Sequence, residues 1–395
     1  MKLLSKVLQN CVPYTSLLND INGGYLPVSA SGLSNVHKAL ISTALVRDTG
    51  KKIVVITPDE ASAVSLMNDA LSMGIKATDF PVRDLCLTDM SGRSREYEHK
   101  RIDTLSKLLD GAFQLLVTSV EAAIQYTIPP EVLREKIFAV RVAEEYPIEK
   151  LVENLLGMGY VRTDIVEGVG QFSVRGGILD LFAANAQNPV RIEYWGDEID
   201  TLSYFDVDTQ RRTEVVDEIK LSPAAEVVFN SYSLADSLEN YLKTTKKLSE
   251  KRKTRLESDI QLLKGEVDIV ADRYLSAVYR NATIFDYVDD AVILVSDSAG
   301  VFDTLGGVFA RSKEDAQLLC DDGFISAGFD KFTLDQTEFE EIINKAVFLE
   351  NFARTKFSGN FKDVINFNFK RISPWNGDVD VLLEDTAYLL EQKGD

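Results

Sequence analysis

The sequence predicts an α/β protein of two to four domains. Three observations carry this. Strand-like and helical runs alternate over the first ~135 residues, which implies a parallel sheet. From Gly168 to Arg212 the pattern changes to short period-two runs broken by glycine turns, which implies antiparallel hairpins. From Asn281 onward, strand and helix patterns alternate again. A chain of 395 residues with 45% hydrophobic content has enough apolar material for several cores.

In the first region, Lys52–Thr57 (KIVVIT) is a buried-strand run and Asp59–Met73 follows with helical periodicity. Leu115–Thr118 is a second strand, and Ser119 is placed to cap a helix starting at Val120. Upstream, Tyr25–Lys38 (YLPVSASGLSNVHK) reads as strand, small-residue loop and helix start, the layout of a phosphate-binding loop. The chemistry of such a loop is missing. A working loop needs Gly-Lys-Ser/Thr, with lysine on the β/γ-phosphates and a hydroxyl on magnesium. Here Gly32 is followed by Leu33, Ser34 and Asn35, and Lys38 lies too far into the helix to substitute. A helix N-terminus can hold an anion, but nucleotide hydrolysis is not expected. Ala291–Ser298 (AVILVSDS) resembles a strand ending in a magnesium-holding acid, reduced to Asp297 followed by serine. Together these features suggest a motor core that has lost its site.

The central region holds two hairpins. Gln171–Val174 and Ile178–Phe182 flank Arg175-Gly176-Gly177; Val190–Trp195 and Ile199–Phe205 flank Gly196-Asp197-Glu198. Side chains alternate faces along a strand, so Arg191, Glu193 and Trp195 share one face, and Ile192 and Tyr194 the other. Arg and Trp are enriched at binding hot spots. The alternative is that Trp195 packs in the core and Arg191 pairs with a neighbouring carboxylate.

Charge narrows the partners. The net charge is −19, and Gly168–Val228 carries five basic residues (Arg175, Arg191, Arg211, Arg212, Lys220) against eleven acidic ones. Phosphate binding needs clustered Lys and Arg, so a protein partner fits this region better than nucleic acid. Lys243–Arg255, within the helical stretch Leu234–Leu263, is the one Lys/Arg-rich run. It reads as a solvated helix face or, alternatively, as a nucleic-acid contact. Cys11, Cys86 and Cys320 are odd in number and far apart, which fits a reducing compartment. With only His37 and His99, there is no zinc-ligand spacing, and no metal or cofactor is expected. No segment has the length and apolarity of a signal peptide or membrane span, so a cytoplasmic location is expected. Lys362–Arg371 reads as a strand, Pro374, Asn376 and Gly377 as a break, and Val379–Gln392 as a helix. A helix launched there suggests a domain boundary or the start of a linker.

Four segments carry a resemblance: GQFSVRGGILDLF (Gly170–Phe182), PVRIEYWGDEIDTLSYFDVDTQR (Pro189–Arg211), SREYEHKRIDTLSKLL (Ser94–Leu109) and LLVTSVEAA (Leu115–Ala123). They resemble the N-terminal region of the bacterial transcription-repair coupling factor family and, more distantly, the excision-repair subunit UvrB. The resemblance implies a degenerate P-loop, RecA-like domain in two halves (1–135 and 229–372), a small inserted α/β domain (136–228), and a linker start at 373–395. It implies that the inserted domain recruits UvrA through Arg175, Arg191 and Trp195, the last usually Phe in that family. It also implies that RNA polymerase, double-stranded DNA and ATP-driven translocation belong to other parts of the full-length protein. It implies, too, that a C-terminal domain masks the recruiting face in the resting state. The connection Phe80–Ser94 is too short for the DNA-threading hairpin of UvrB, so damage verification is not expected. An active UvrB-like, ATP-dependent helicase fragment with direct DNA binding is the alternative.

Overall fold

The computed structural model describes residues 8–391, apart from 89–93, 247, 266, 268, 280–281, 327, 353–355 and 370–378. The first part of the chain runs α1 (Val12–Gly23), β1 (Val28–Ser31), α2 (Asn35–Thr49), β2 (Ile53–Thr57), α3 (Glu60–Ser72), β3 (Ala77–Phe80), α4 (Glu96–Leu109), β4 (Leu115–Ser119), α5 (Val120–Ile124) and α6 (Pro130–Lys136). The helix starts follow local chemistry. Asp59 accepts from the Ser62 amide and Ser119 from the Ala122 amide, each supplying one of the acceptors that a helix N-terminus lacks.

The middle of the chain forms sheets of its own. β5 (Phe138–Arg141) enters it, followed by α7 (Ile148–Gly157), β6 (Val161–Arg162), β7 (Gln171–Arg175), β8 (Ile178–Leu181), β9 (Val190–Trp195), β10 (Glu198–Phe205), β11 (Arg212–Val216) and β12 (Glu218–Leu221). β6 to β11 form one sheet in the order β11-β10-β9-β8-β7-β6, antiparallel except for the β6–β7 pair. One face buries Phe172, Leu179, Ile192 and Leu202 against Leu151 and Leu155 of α7. β5 and β12 pair antiparallel, so the two ends of this unit lie side by side.

The chain then returns to the first sheet. α8 (Ser231–Thr244), α9 (Glu250–Lys264), the short α10 (Leu275–Val278), β13 (Val292–Ser296), α11 (Ser298–Asp321), α12 (Gln336–Ile343), β14 (Val347–Leu349), β15 (Asp363–Asn366) and α13 (Val379–Glu391) follow. β13, β14 and β15 join β1 to β4 in one parallel sheet, ordered β15-β1-β14-β13-β2-β4-β3. The fold is therefore α/β, with one sheet written by segments on either side of an insertion. A parallel sheet is covered on both faces, and its strands divide their side chains between two cores. Val54, Ile56 and Leu116 pack toward Phe80, Leu105, Val301 and Phe339. Ile53, Val55, Leu115 and Val117 pack toward Leu17, Ile41, Leu45 and Leu66.

The helical stretch Leu234–Leu263 is two helices rather than one. α8 and α9 each have their own cap, Asn230 accepting from the Ser233 amide and Ser249 from the Arg252 amide. Between Leu242 and Leu256 the sequence offers only Leu248 to an apolar stripe. The two stripes therefore close on each other, with Leu234 and Leu238 against Leu256, Ile260 and Leu263. The basic run within them is largely engaged by its own chain. Lys243 and Lys264 pair with Glu239, Lys253 with Glu257, Lys251 with Asp322, and Arg252 Nε donates to the Cys320 carbonyl at 2.7 Å. The strand expected over Lys362–Arg371 is β15, which ends at Asn366. The break at Pro374, Asn376 and Gly377, and part of the short Phe80–Ser94 connection, lie outside the described residues.

α4 seats the insertion. Arg95, at its N-terminus, donates to the Gly159 carbonyl at 2.9 Å and the Ala224 carbonyl at 2.7 Å, and to Glu98 at 2.8 Å. Glu98 accepts from the Glu226 amide at 2.9 Å. Arg101 donates to the buried Glu226 carboxylate at 2.6 Å. Burial opposes the charge on Glu98, but Arg83 and Arg95 hold its carboxyl down to about 2. His99 packs on Gly170 so closely that a Cβ there would lie 2.8 Å from its Nε2. Burial, and then Arg95, push the His99 imidazole down to about 4. The Ser94–Leu109 segment thus fixes the inserted sheet against the large one.

Candidate functional site

The face of the inserted sheet turned away from α7 is organised by Asp180. The first hairpin turns at Gly176-Gly177, with Gly176 at φ 61, a left-handed conformation that glycine adopts without a Cβ clash. Its register places Asp180 opposite Ser173 on one side and Arg191 on the other, and Arg191 faces Ser203. Asp180 is 1% exposed. Arg191 grips it with two parallel bonds, Nε to Oδ1 at 2.7 Å and Nη2 to Oδ2 at 2.9 Å. Arg175 Nη2 reaches the same Oδ2 at 2.7 Å. Bidentate, charge-assisted pairs of this kind fix orientation as well as energy. The bonds to Asp180 raise Arg191 further above its ordinary pKa, against burial.

The three candidate residues differ in what they leave outside. Trp195, at the end of β9, is 84% exposed. The Arg175 side chain is 51% exposed and that of Arg191 15%. Arg191 also lies 5.0 Å from the Phe205 ring centroid, and its Nη1 donates to the Gln210 carbonyl at 3.4 Å. Beside them Arg212 pairs with Glu193. Each of the two sequence alternatives holds for a different residue: Arg191 is paired with a carboxylate, while Trp195 stands in solvent. Asp180 and Gln210 were not singled out in the sequence. The signal for Asp180 is its place across the hairpin from Arg191. Gln210 meets Arg191 through a loop closure that periodicity does not encode.

The Gly32 region contrasts with this. Gly32 has φ 83, and a Cβ on it would lie 2.1 Å from the Phe367 carbonyl oxygen. The chain after β15 therefore passes directly over the loop. Leu33 is buried in the core, and its amide donates to the Glu350 carbonyl at 3.1 Å. Ser34 caps α2 reciprocally with His37, whose ring stacks on Phe369 at 4.2 Å. Lys38 is buried. Burial lowers its pKa, opposed by Asp297 and Glu350. Burial raises that of Glu350, whose two oxygens accept from the Ser298 amide at 3.3 Å. Asp297 adopts φ 61 and caps α11 through the Gly300 amide. The strand–loop–helix layout is present, with Lys38 and Glu350 both buried. Among the described residues, no cluster of His, Cys, Asp and Glu could hold a metal ion. Among the described residues, no helix is long and apolar enough to cross a membrane.

The UvrB interaction domain family matches residues 138–227. The chain is 27% identical over 392 residues to the transcription-repair-coupling factor of Bacillus subtilis (strain 168), covering 93% of this chain and 32% of that protein. It is 25% identical over 406 residues to the transcription-repair-coupling factor of Staphylococcus aureus (strain USA300), covering 98% and 34%. The chain thus spans about a third of the length of the curated relatives it matches. The chain therefore carries a UvrB interaction domain match and is similar along nearly its whole length to about one third of the length of these transcription-repair-coupling factors.

Proposed function

We propose that this chain is a non-catalytic recruitment module that binds the excision-repair protein UvrA through the outward face of the inserted sheet. Arg175, Arg191 and Trp195 would form its centre. The observation that carries this reading is an exposed tryptophan on the strand of Arg191, whose buried carboxylate partner also holds Arg175. A rigid aromatic and oriented guanidinium groups are what a protein hot spot requires. The covered Gly32 loop and the inward-facing Lys38 support the absence of nucleotide chemistry in this part of the protein. In this reading, residues 1–135 and 229–372 are two halves of one support, 136–228 is the recruiting domain, and 373–395 begins a linker. RNA polymerase, DNA, ATP-driven translocation and the masking C-terminal domain belong to the rest of a longer protein that works in the bacterial cytoplasm.

Calorimetry with purified UvrA tests this directly. Trp195→Ala and Arg191→Ala should each weaken binding by about 2 kcal/mol or more, roughly 30-fold. Affinities equal to that of the parent chain would remove this face from the interface. Saturable micromolar ATP binding in the same chain would favour the helicase-like alternative.

A further inference from the structure

We infer that Arg191 is a positioning residue, locked by Asp180 and Gln210, and that Arg175 and Trp195 are the groups that touch the partner. This rests on the recruitment reading and divides its three residues into two roles. Three of the five N–H donors of Arg191 are engaged: two on Asp180 and one on the Gln210 carbonyl. Its guanidinium lies against Phe205, and little of it reaches the surface. Among the described residues Arg175 has one partner, the Asp180 Oδ2 that Arg191 also holds, and half of its side chain faces solvent.

The two arginines are therefore coupled through one carboxylate. With Arg191 in place, Asp180 is satisfied on both oxygens and Arg175 is held by a single bond that leaves half of its side chain in solvent. Without Arg191, the buried Asp180 has only Arg175 to neutralise it, and the exposed guanidinium is drawn inward.

Gln210 completes the lock. It adopts φ 58, one of four non-glycine residues with positive φ among the described residues. Its side-chain amide donates to the Val166 carbonyl at 3.2 Å and the Val207 carbonyl at 2.8 Å. These bonds tie two loops together where the Gln210 carbonyl meets Arg191. A residue held in a sparsely populated conformation and tied on both sides marks a position that the surrounding structure specifies.

A double-mutant cycle with purified UvrA tests the division, using the full 395-residue chain. Arg175→Ala should weaken binding roughly 30-fold. Arg191→Ala should weaken it as well, but the double variant should bind within about 3-fold of Arg175→Ala, because residues acting through one network are not additive. Gln210→Gly keeps the backbone conformation and loses the side-chain ties. It should weaken binding about 5-fold in the parent background, roughly the coupling expected of a network member, and leave Arg175→Ala unchanged. If Arg191→Ala fails to fold, Arg191→Lys replaces it, keeping the charge but losing the two-bond grip. Losses that multiply would show that Arg191 meets the partner itself and overturn the inference while recruitment stands. No binding by the parent chain would overturn the recruitment reading, and the division with it.

Discussion

The Gly32 loop and the Asp180 face use the same materials to opposite ends. Each sets a basic side chain in the field of a buried carboxylate at the end of a strand or along it. At Gly32, Leu33 fills the core, Phe367 crosses the loop, and Lys38 is enclosed with Asp297 and Glu350. At Asp180 the carboxylate is equally buried, but a tryptophan and half of an arginine remain outside. Buried opposite charges therefore do not define a site by themselves. What matters is whether they are closed off or used to aim something at the surface.

The most disruptive way to probe this contrast is to remove the anchor. Asp180→Ala leaves two arginines without their shared carboxylate, and should destabilise the chain by about 3–4 kcal/mol. A denaturation midpoint equal to that of the parent would mean that water screens this pair as it screens a surface bridge. Next, Leu33→Ala should cost about 3 kcal/mol through the cavity it leaves, with unchanged affinity for UvrA. Loss of UvrA binding in a folded Leu33→Ala chain would join two regions that are separated here.

The smallest effect is at the seat between them. The imidazole of His99 lies near 4 in the folded chain against its ordinary 6.5. A depressed pKa makes the unfolded state bind more protons between those values, so stability is intact above pH 6.5 and falls as pH drops toward 4. The loss attributable to His99 should reach about 2 kcal/mol after allowance for partial exposure. Thermal midpoints measured at pH 7 and pH 4.5 should converge when His99→Gln is compared with the parent. An identical pH slope in the two chains would place the sensitivity elsewhere.

Much of this was legible in the residues, for identifiable reasons. KIVVIT and LLVTS are continuous apolar runs, and they are β2 and β4 within a residue. The alternation in VRIEYW put Arg191 and Trp195 on one face, and that is where they lie, with Ile192 in the core. The limits are also physical. Period two assigns a face but not what covers it, so it gave no sign that Arg191 is mostly enclosed while Trp195, four residues on, is bare. Helical periodicity does not register a reversal, so α8 and α9 read as one helix. The role of Asp180 needed the register of a neighbouring strand, and that of Gln210 the approach of a distant loop.

The strand order has one more consequence, for how the chain is made. Among the described residues, β1 pairs only with β14 and β15, which are written more than three hundred residues later. During synthesis that first strand has no sheet to join until nearly the whole segment has emerged. The inserted sheet, by contrast, pairs only strands close to it in sequence, from Val161 to Val216. Non-local pairing is slow and local pairing fast. The inserted sheet should therefore be complete while the large parallel sheet is still being assembled.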